Sequence, residues 1–439
     1  MLSIAKSEFK ARRERLLAMM GDNSIAIIPA ANEVTRSRDT EYAFRQDSDF
    51  YYLTGFNEPD AILVLCSSSV TPSTLICRDK DKQAEIWHGR RIGFEKAKTD
   101  YLFDATYALS ELDDTLLTLL NTQQTLFYAQ GTYPAFDSKV WGLLNTLRCA
   151  PKSGYQAPHT IKDIRALLHE MRLFKSDAEI NIMRQACEVS AQGHIRAMQF
   201  AKLGATEYQL EAELHHHYAI NGARFPAYSS IVGSGDNANI LHYTQNDAEL
   251  ADGDLVLIDS GCELQGYAAD ITRTFPVNGT FSEPQAALYS IVLAAQHAAF
   301  NEVKPGGSFS KANAAASKVL TQGLLELGLL QGELEQLIAS QAYKVFYMHG
   351  IGHWLGLDVH DVGDYKCGEK ERCFEPRMVL TIEPGLYINH DANVPKQFRG
   401  IGIRIEDNLV VTKHGHENLT VGVPKAINDI EALMRASKS

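Results

Sequence analysis

The stretch MHGIGHWLGLDVHDVG, residues 348–363, holds three histidines, His349, His353 and His360, and four glycines, three of them threaded between the first ring and the last. His349 and His353 stand at i and i+4, which on an α-helix would put both rings on one face, as in the H-E-x-x-H metal-binding helix. That pattern needs a continuous helix and a glutamate after the first histidine. Here the intervening residues are Gly350, Ile351 and Gly352, and each glycine weakens a helix by roughly 1 kcal/mol. The segment therefore reads as a loop whose backbone stays close to something, and its three rings need not serve one ion.

The partners of these rings are sought among carboxylates elsewhere in the chain. Asp259 in LVLIDSG and Glu383 in VLTIEPG each end an apolar strand. A carboxylate at the edge of a buried sheet is costly to desolvate unless a cation meets it. Asp270, in GYAADITRTFP, follows Asp259 by eleven positions, about the separation of two antiparallel strands joined by a short hairpin, so the two can converge. In IGIRIEDN the two-residue period of a strand puts Ile401, Ile403 and Ile405 on one face and Arg404 with Glu406 on the other. Four carboxylates and one imidazole make an oxygen-rich donor set without a thiolate. Such a set suits Mn²⁺ or Co²⁺ ahead of structural zinc. Its four negative charges match two divalent ions, and a pair about 3.5–4 Å apart can activate water and polarise a carbonyl together. The expected chemistry is hydrolysis.

The rest of the chain frames this centre. With 439 residues, 45% of them hydrophobic, two globular domains are expected. The net charge of −12 argues against nucleic acid or an anionic membrane as partner. Seven scattered cysteines suit a reduced, cytoplasmic setting. No apolar run approaches the ~18 residues of a membrane span. The opening MLSIAKSEFKARRERLLAMM is amphipathic and unlike a signal peptide, so a soluble, unexported protein is expected.

Residues 1–172 read as an α/β domain, with apolar strands at 24–28, 61–66 and 125–129 and a helix near 110–120. Ser176 and Glu179 form a capping box that opens a helix running towards Gly204. A second helix behind Thr206 carries Leu210, Leu214 and Tyr218 on one stripe. Residues 173–439 then become strand-rich, at 255–259, 271–275, 379–383 and 401–411, with helices at 283–301 and 310–340. Consecutive helical residues point in different directions, so His215, His216 and His217 read as a solvated face and not a metal site. Arg12, Arg13 and Arg15 also read as a solvated helix face.

The ordered set Asp259, Asp270, His353, Glu383 and Glu406, inside LIDSG, DITRTF, HGIGHWLG, TIEPG and RIEDN, resembles the metallopeptidases of the pita-bread fold. That group contains methionine aminopeptidase, prolidase, aminopeptidase P and creatinase. Segments outside the set, among them FRQDSDFYYLTGFNEPDA, AEIWHGRRIG, HEMRLFKS and IVGSGDNANILHYT, extend the resemblance over nearly the full chain and make it most similar to the aminopeptidase P family.

The resemblance implies an α/β N-terminal domain, serving substrate access and oligomerisation, before an α+β pita-bread catalytic domain. It implies that the five ordered residues hold two divalent metal ions, Mn²⁺ first, with Co²⁺ or Zn²⁺ as alternatives. His353 becomes the single imidazole ligand, with Gly350 and Gly352 letting backbone pass close to the metals. His242, His349 and His360 become catalytic and substrate-binding groups, joined in the pocket by Tyr387, Arg404 and Trp87. The implied reaction removes the first residue of peptides whose second residue is proline, by attack of a hydroxide bridging the metals, with Glu383 shuttling the proton. A prolidase acting on Xaa-Pro dipeptides is the alternative, and a homodimer or homotetramer the implied assembly.

Overall fold

The computed structural model describes residues 3–436. The chain divides into two compact units, Ser3–Arg172 and the residues from Leu173 onward.

The first unit is built on a mixed six-stranded sheet. Its strands lie in the order Ala105–Ala108, Ser73–Cys77, Ile62–Cys66, Ser24–Pro29, Thr125–Tyr128 and Thr160–Lys162. The central pairs are antiparallel and the outer ones parallel. Ile25, Ile27, Val64, Ile76 and Leu126 from the strands pack against Leu116, Leu120, Val140 and Leu144 from two helices. Three strands beyond those expected, at 73–77, 105–108 and 160–162, complete the sheet.

The opening helix Lys6–Met20 corrects one expectation, because Arg12 and Arg13 are buried while Arg15 faces solvent. Arg12 donates to the carbonyl of Tyr52, and Arg13 donates to those of Leu53, Tyr101 and Leu102. A guanidinium carries five donors and can stay charged inside a protein when carbonyls meet them. Basic composition alone did not mark this face as exposed.

The second unit twice follows a pair of helices with antiparallel strands. Ser176 and Glu179 exchange the hydrogen bonds of a capping box, at 2.9 and 3.2 Å, and open the helix Asp177–Phe200. The helix Glu207–Ile220 follows, burying Leu210, Leu214 and Tyr218. Strands Ile231–Ser234, Leu255–Asp259 and Thr272–Pro276 then form an antiparallel sheet. In the second half, helices Glu283–Phe300 and Phe309–Glu326 precede a long ribbon. The helix expected over 310–340 breaks at Glu326, and a separate short helix Leu334–Ala339 follows.

In the ribbon, Val379–Ile382 pairs with Asp407–Val411, and Gly385–Ile388 pairs with Ile401–Arg404. The strand expected to run unbroken over 401–411 is thus interrupted at residues 405–406, opposite an interruption at 383–384. Both breaks carry a glutamate, Glu406 and Glu383. An interrupted ladder turns side chains out of strict alternation, which here frees both carboxylates to face inward.

Two minor expectations also change. Helix Asp177–Phe200 ends before Gly204, which takes a positive φ of 75° in the following turn. His215 is half-buried, with its Nε2 at 3.0 Å from Ser230 Oγ, while His216 is exposed. The described cysteines are free thiols. No helix among the described residues is long and apolar enough to cross a membrane.

Candidate active site and metal centre

A cavity of about 460 Å³ in the second unit gathers Asp259, Asp270, His353, Glu383 and Glu406, together with His242, His349, His360 and Arg404. Each side chain arrives by a local structural device. Asp259 ends its strand opposite Thr272, and the backbone N–H of Ser260 donates to Ile271 at 3.0 Å. Asp270 lies just before the strand that begins at Thr272, where its backbone N–H donates to Asn408 Oδ1 at 2.9 Å.

His353 arrives because the 350–355 loop runs alongside the 379–382 strand. Thr381 N–H donates to the His353 carbonyl at 2.9 Å, and Glu383 N–H donates to that of Ile351 at 2.8 Å. Gly352 makes this approach feasible, since a Cβ there would meet the Thr381 carbonyl oxygen at 2.0 Å. A Cβ on Gly350 would meet nothing within 4 Å. The close approach that requires glycine is therefore to a neighbouring strand, and only Gly352 makes it. The His353 Nδ1–H donates to the Trp354 carbonyl at 2.9 Å, which turns Nε2 towards Asp270 at 3.3 Å and Glu383 at 3.8 Å. A histidine with one nitrogen fixed to a carbonyl and the other aimed at carboxylates has the orientation of a metal ligand.

Arg404 ties the opposite wall together. It donates to Asp259 Oδ2 at 2.6 Å, to the Tyr387 hydroxyl at 3.1 Å and to Thr272 Oγ1 at 3.1 Å. Tyr387 in turn donates to His349 Nε2 at 2.8 Å, leaving His349 Nδ1–H to donate to Gly350. Burial holds His349 down near a pKa of about 4, helped by the Arg404 charge, so its imidazole is neutral at pH 7. His360 packs edge-on against His353, with ring centres 4.3 Å apart. The buried pair Lys175–Asp361, 2.9 Å apart, anchors the residue beside it.

The electrostatics call for cations. Burial raises Glu383 to about 7, even with His353 and Arg404 pulling it back. Burial and the neighbouring carboxylates push Asp270 up and Glu406 far up. Only Asp259 is held down, where Arg404 and Tyr228 outweigh its desolvation. Tyr228 gives a second indication: its hydroxyl lies 2.6 Å from Asp259 Oδ1 and 2.5 Å from Asp270 Oδ1. One proton faces two carboxylate oxygens. Asp270, His353 and Glu406 can each offer a ligand atom within 4.8 Å of the others. This donor set, all oxygen but for one imidazole and carrying uncompensated buried negative charge, fits divalent cations.

Comparison with known proteins agrees with this geometry. Residues 181–413 match metallopeptidase family M24, and residues 9–128 match the aminopeptidase P N-terminal domain. The chain is 50% identical to the Xaa-Pro aminopeptidase of Escherichia coli K12, with all of both chains covered. The chain belongs to the aminopeptidase P branch of metallopeptidase family M24. To the Xaa-Pro aminopeptidase of Haemophilus influenzae it is 47% identical over 99% of this chain and 98% of the other. The structure of Pseudomonas aeruginosa aminopeptidase PepP superposes with a TM-score of 0.99 at 49% identity, covering 100% of both chains. A glutamate-to-alanine variant of E. coli aminopeptidase P in complex with substrate superposes at 0.97, with 49% identity and 99% of each chain covered. The zinc-substituted E. coli enzyme, in complex with product, gives the same TM-score and identity over 100% of both.

Within this M24 site, sequence reasoning missed two residues that touch the carboxylates. Thr272 donates to Glu406 Oε2 at 2.7 Å. It opens the strand Thr272–Pro276 two positions after Asp270, and that nearness in sequence was its one signal. Tyr228 had no such signal, because it lies outside any strand and reaches the aspartates only through the folded chain. Among the predicted pocket residues, Tyr387 is buried behind the wall and reaches it only through His349 and Arg404, and Trp87 does not line the cavity. Trp87 lies on the N-terminal unit's short helix Lys82–His88 and is 79% exposed.

Proposed function

We propose that the chain is a metal-dependent Xaa-Pro aminopeptidase, releasing the first residue of peptides that carry proline second. The observation that carries this reading is the convergence of Asp259, Asp270, His353, Glu383 and Glu406 in one cavity of a chain matched along its whole length by aminopeptidases. These five residues would hold two divalent ions, and Mn²⁺ is the ion proposed. When bound, such ions supply Lewis acidity and bring the pKa of water towards neutrality.

The chain's own groups divide the remaining work. Glu383, on the cavity wall beside His353, is assigned to take a proton from water and deliver it to the departing proline nitrogen. His349 is neutral, and its Nδ1–H, 3.8 Å from Glu383, is a donor that Gly350 and the substrate can share. His242 and His360, on the cavity wall, are assigned to the scissile carbonyl and the downstream peptide. Arg404 keeps Asp259 ionised and orients Tyr387. Asp259 is then available to the free amine of the substrate, which accounts for exopeptidase action. Proline is accepted because no assigned group requires the N–H that an Xaa-Pro bond lacks.

Three further assignments belong to the proposal. Trp87 contacts substrate, and its removal would raise KM. The N-terminal unit serves substrate access and assembles the chain into a homodimer or homotetramer. The free cysteines support residence in the cytoplasm.

The deciding assay offers Xaa-Pro-Yaa tripeptides and longer peptides beside Xaa-Pro dipeptides, before and after chelation. Cleavage of the longer substrates, lost on chelation and regained with Mn²⁺ as two ions rebind per chain, is expected. Turnover of dipeptides alone would assign a prolidase instead, and full activity after exhaustive demetallation would remove the metal centre from the account.

A further inference from the structure

Residues 234–248 have little regular structure beyond the short 3₁₀ turn Gly235–Asn239, yet they present Leu241, His242 and Thr244 to the cavity. An irregular segment holds a side chain in place only if its backbone is tied down. The tie is Glu207, the first residue of the helix Glu207–Ile220, whose side chain is fully buried.

Glu207 Oε1 accepts from the Ser234 N–H at 2.7 Å and from Asn237 Nδ2 at 3.1 Å. Its Oε2 accepts from the Tyr243 hydroxyl at 2.9 Å and the Ala248 N–H at 3.0 Å. A carboxylate offers about four lone-pair sites, and all four are taken. The donors come from the first residue of the segment, its middle and its last. The Glu207 backbone N–H also donates to the Ala248 carbonyl at 3.0 Å. Charge-assisted bonds of this kind are roughly twice as strong as neutral ones, and the helix N-terminus favours the negative charge. On its other side the turn is seated against Gly402, where a Cβ would meet the Ala238 carbonyl carbon at 2.5 Å. The segment is gripped from both sides, and Tyr243, whose hydroxyl bonds Glu207, is the direct neighbour of His242.

We propose that Glu207 is the positioning residue for His242: it fixes the 234–248 segment so that the imidazole stands ready for substrate, while touching neither substrate nor metal ligand itself. This rests on the assignment of His242 to the substrate pocket. Sequence alone gives no hint of it, because a glutamate in the first turn of a helix ordinarily reads as complementing the helix dipole.

The test is a double-mutant cycle on the full chain. Glu207→Gln is isosteric but sets an amide N–H₂ against two of the four donors. It should lower kcat/KM on an Xaa-Pro-Yaa peptide by about 10- to 100-fold, the scale on which a small misplacement acts. Metal content should match the wild type, and amide exchange should quicken in residues 234–248 while 255–259 stay protected. In a His242→Ala background the same change should cost no more than about twofold, since there is no imidazole left to position. An equal loss in both backgrounds would reduce Glu207 to a structural role and overturn the proposal, as would unchanged exchange in 234–248. If Glu207→Gln does not fold, Tyr243→Phe removes one donor of the four and should act in the same direction with a smaller loss; additive behaviour with His242→Ala overturns the proposal there too. Should the wild type cleave no Xaa-Pro peptide, the functional reading falls, and the exchange measurement still judges the brace separately.

Discussion

His194 makes a prediction about stability that is independent of catalysis. It lies on the helix Asp177–Phe200, fully buried, and its Nε2–H donates to the Ser260 carbonyl at 2.8 Å, beside Asp259. Its Nδ1 has no partner among the described residues. Burial, with repulsion from Arg273, lowers its pKa from 6.5 to about 4, against the smaller pull of the Ser260 carbonyl and Asp259. An unfolded chain takes up a proton on this imidazole near pH 6.5, and the folded chain does so only near pH 4. The stabilising contribution is therefore complete above pH 6.5 and lost as pH falls through the window to about 4. A tenfold change in proton affinity is worth about 1.4 kcal/mol, so the loss across this window is about 3 kcal/mol. Other groups titrate in the same range, so the measurement compares wild type with His194→Gln, which keeps a donor for Ser260 and cannot titrate. Urea unfolding followed at about pH 7 and about pH 4 should show the variant gaining about 3 kcal/mol on the wild type between the two. Parallel pH dependences would refute the argument, since they would mean that His194 is already protonated when folded or has access to water.

Replacing Glu383 or His353 with alanine should remove nearly all turnover, about 100-fold or more if only general acid–base work is lost, with circular dichroism unchanged. Tyr228→Phe deletes the hydroxyl between Asp259 and Asp270. It should lower activity or metal retention about 10- to 100-fold, read by titrating activity against added Mn²⁺, because groups that hold metal ligands act on this scale. Arg13→Met leaves the buried Leu53 carbonyl without its donor, and removes those of the part-buried Tyr101 and Leu102 carbonyls; it should lower the stability of the N-terminal unit by about 1–3 kcal/mol, seen as earlier unfolding of that unit with kcat unaffected.

Much of the site was legible because its ligands sit where strand patterns end. An acidic residue closing an apolar run, as in LVLID and VLTIE, is conspicuous by its desolvation cost alone. Arg404 and Glu406 followed from the period of two. The N-terminal sheet was legible only in part. Three of its strands are apolar enough to announce themselves, whereas the interior Ser73–Cys77 opens on polar residues, and Ala105–Ala108 and Thr160–Lys162 at its edges are short and half exposed. Arg12 and Arg13 misled because a charge looks solvated until the carbonyls that receive it are known.

By itself the sequence determined which chemistry was available: an oxygen-rich donor set with one imidazole, glycines where backbones must pass closely, and helix starts written in capping residues. These are local properties, carried by each residue's own side chain and its near neighbours. Only the tertiary structure decided that the ladder breaks at 383–384 and 405–406 together, that Tyr228 faces two aspartates, and that Glu207 binds a distant loop. Each of these depends on groups far apart in the chain meeting in three dimensions, where burial removes water and leaves an ordinary tyrosine or glutamate as the partner its neighbours need.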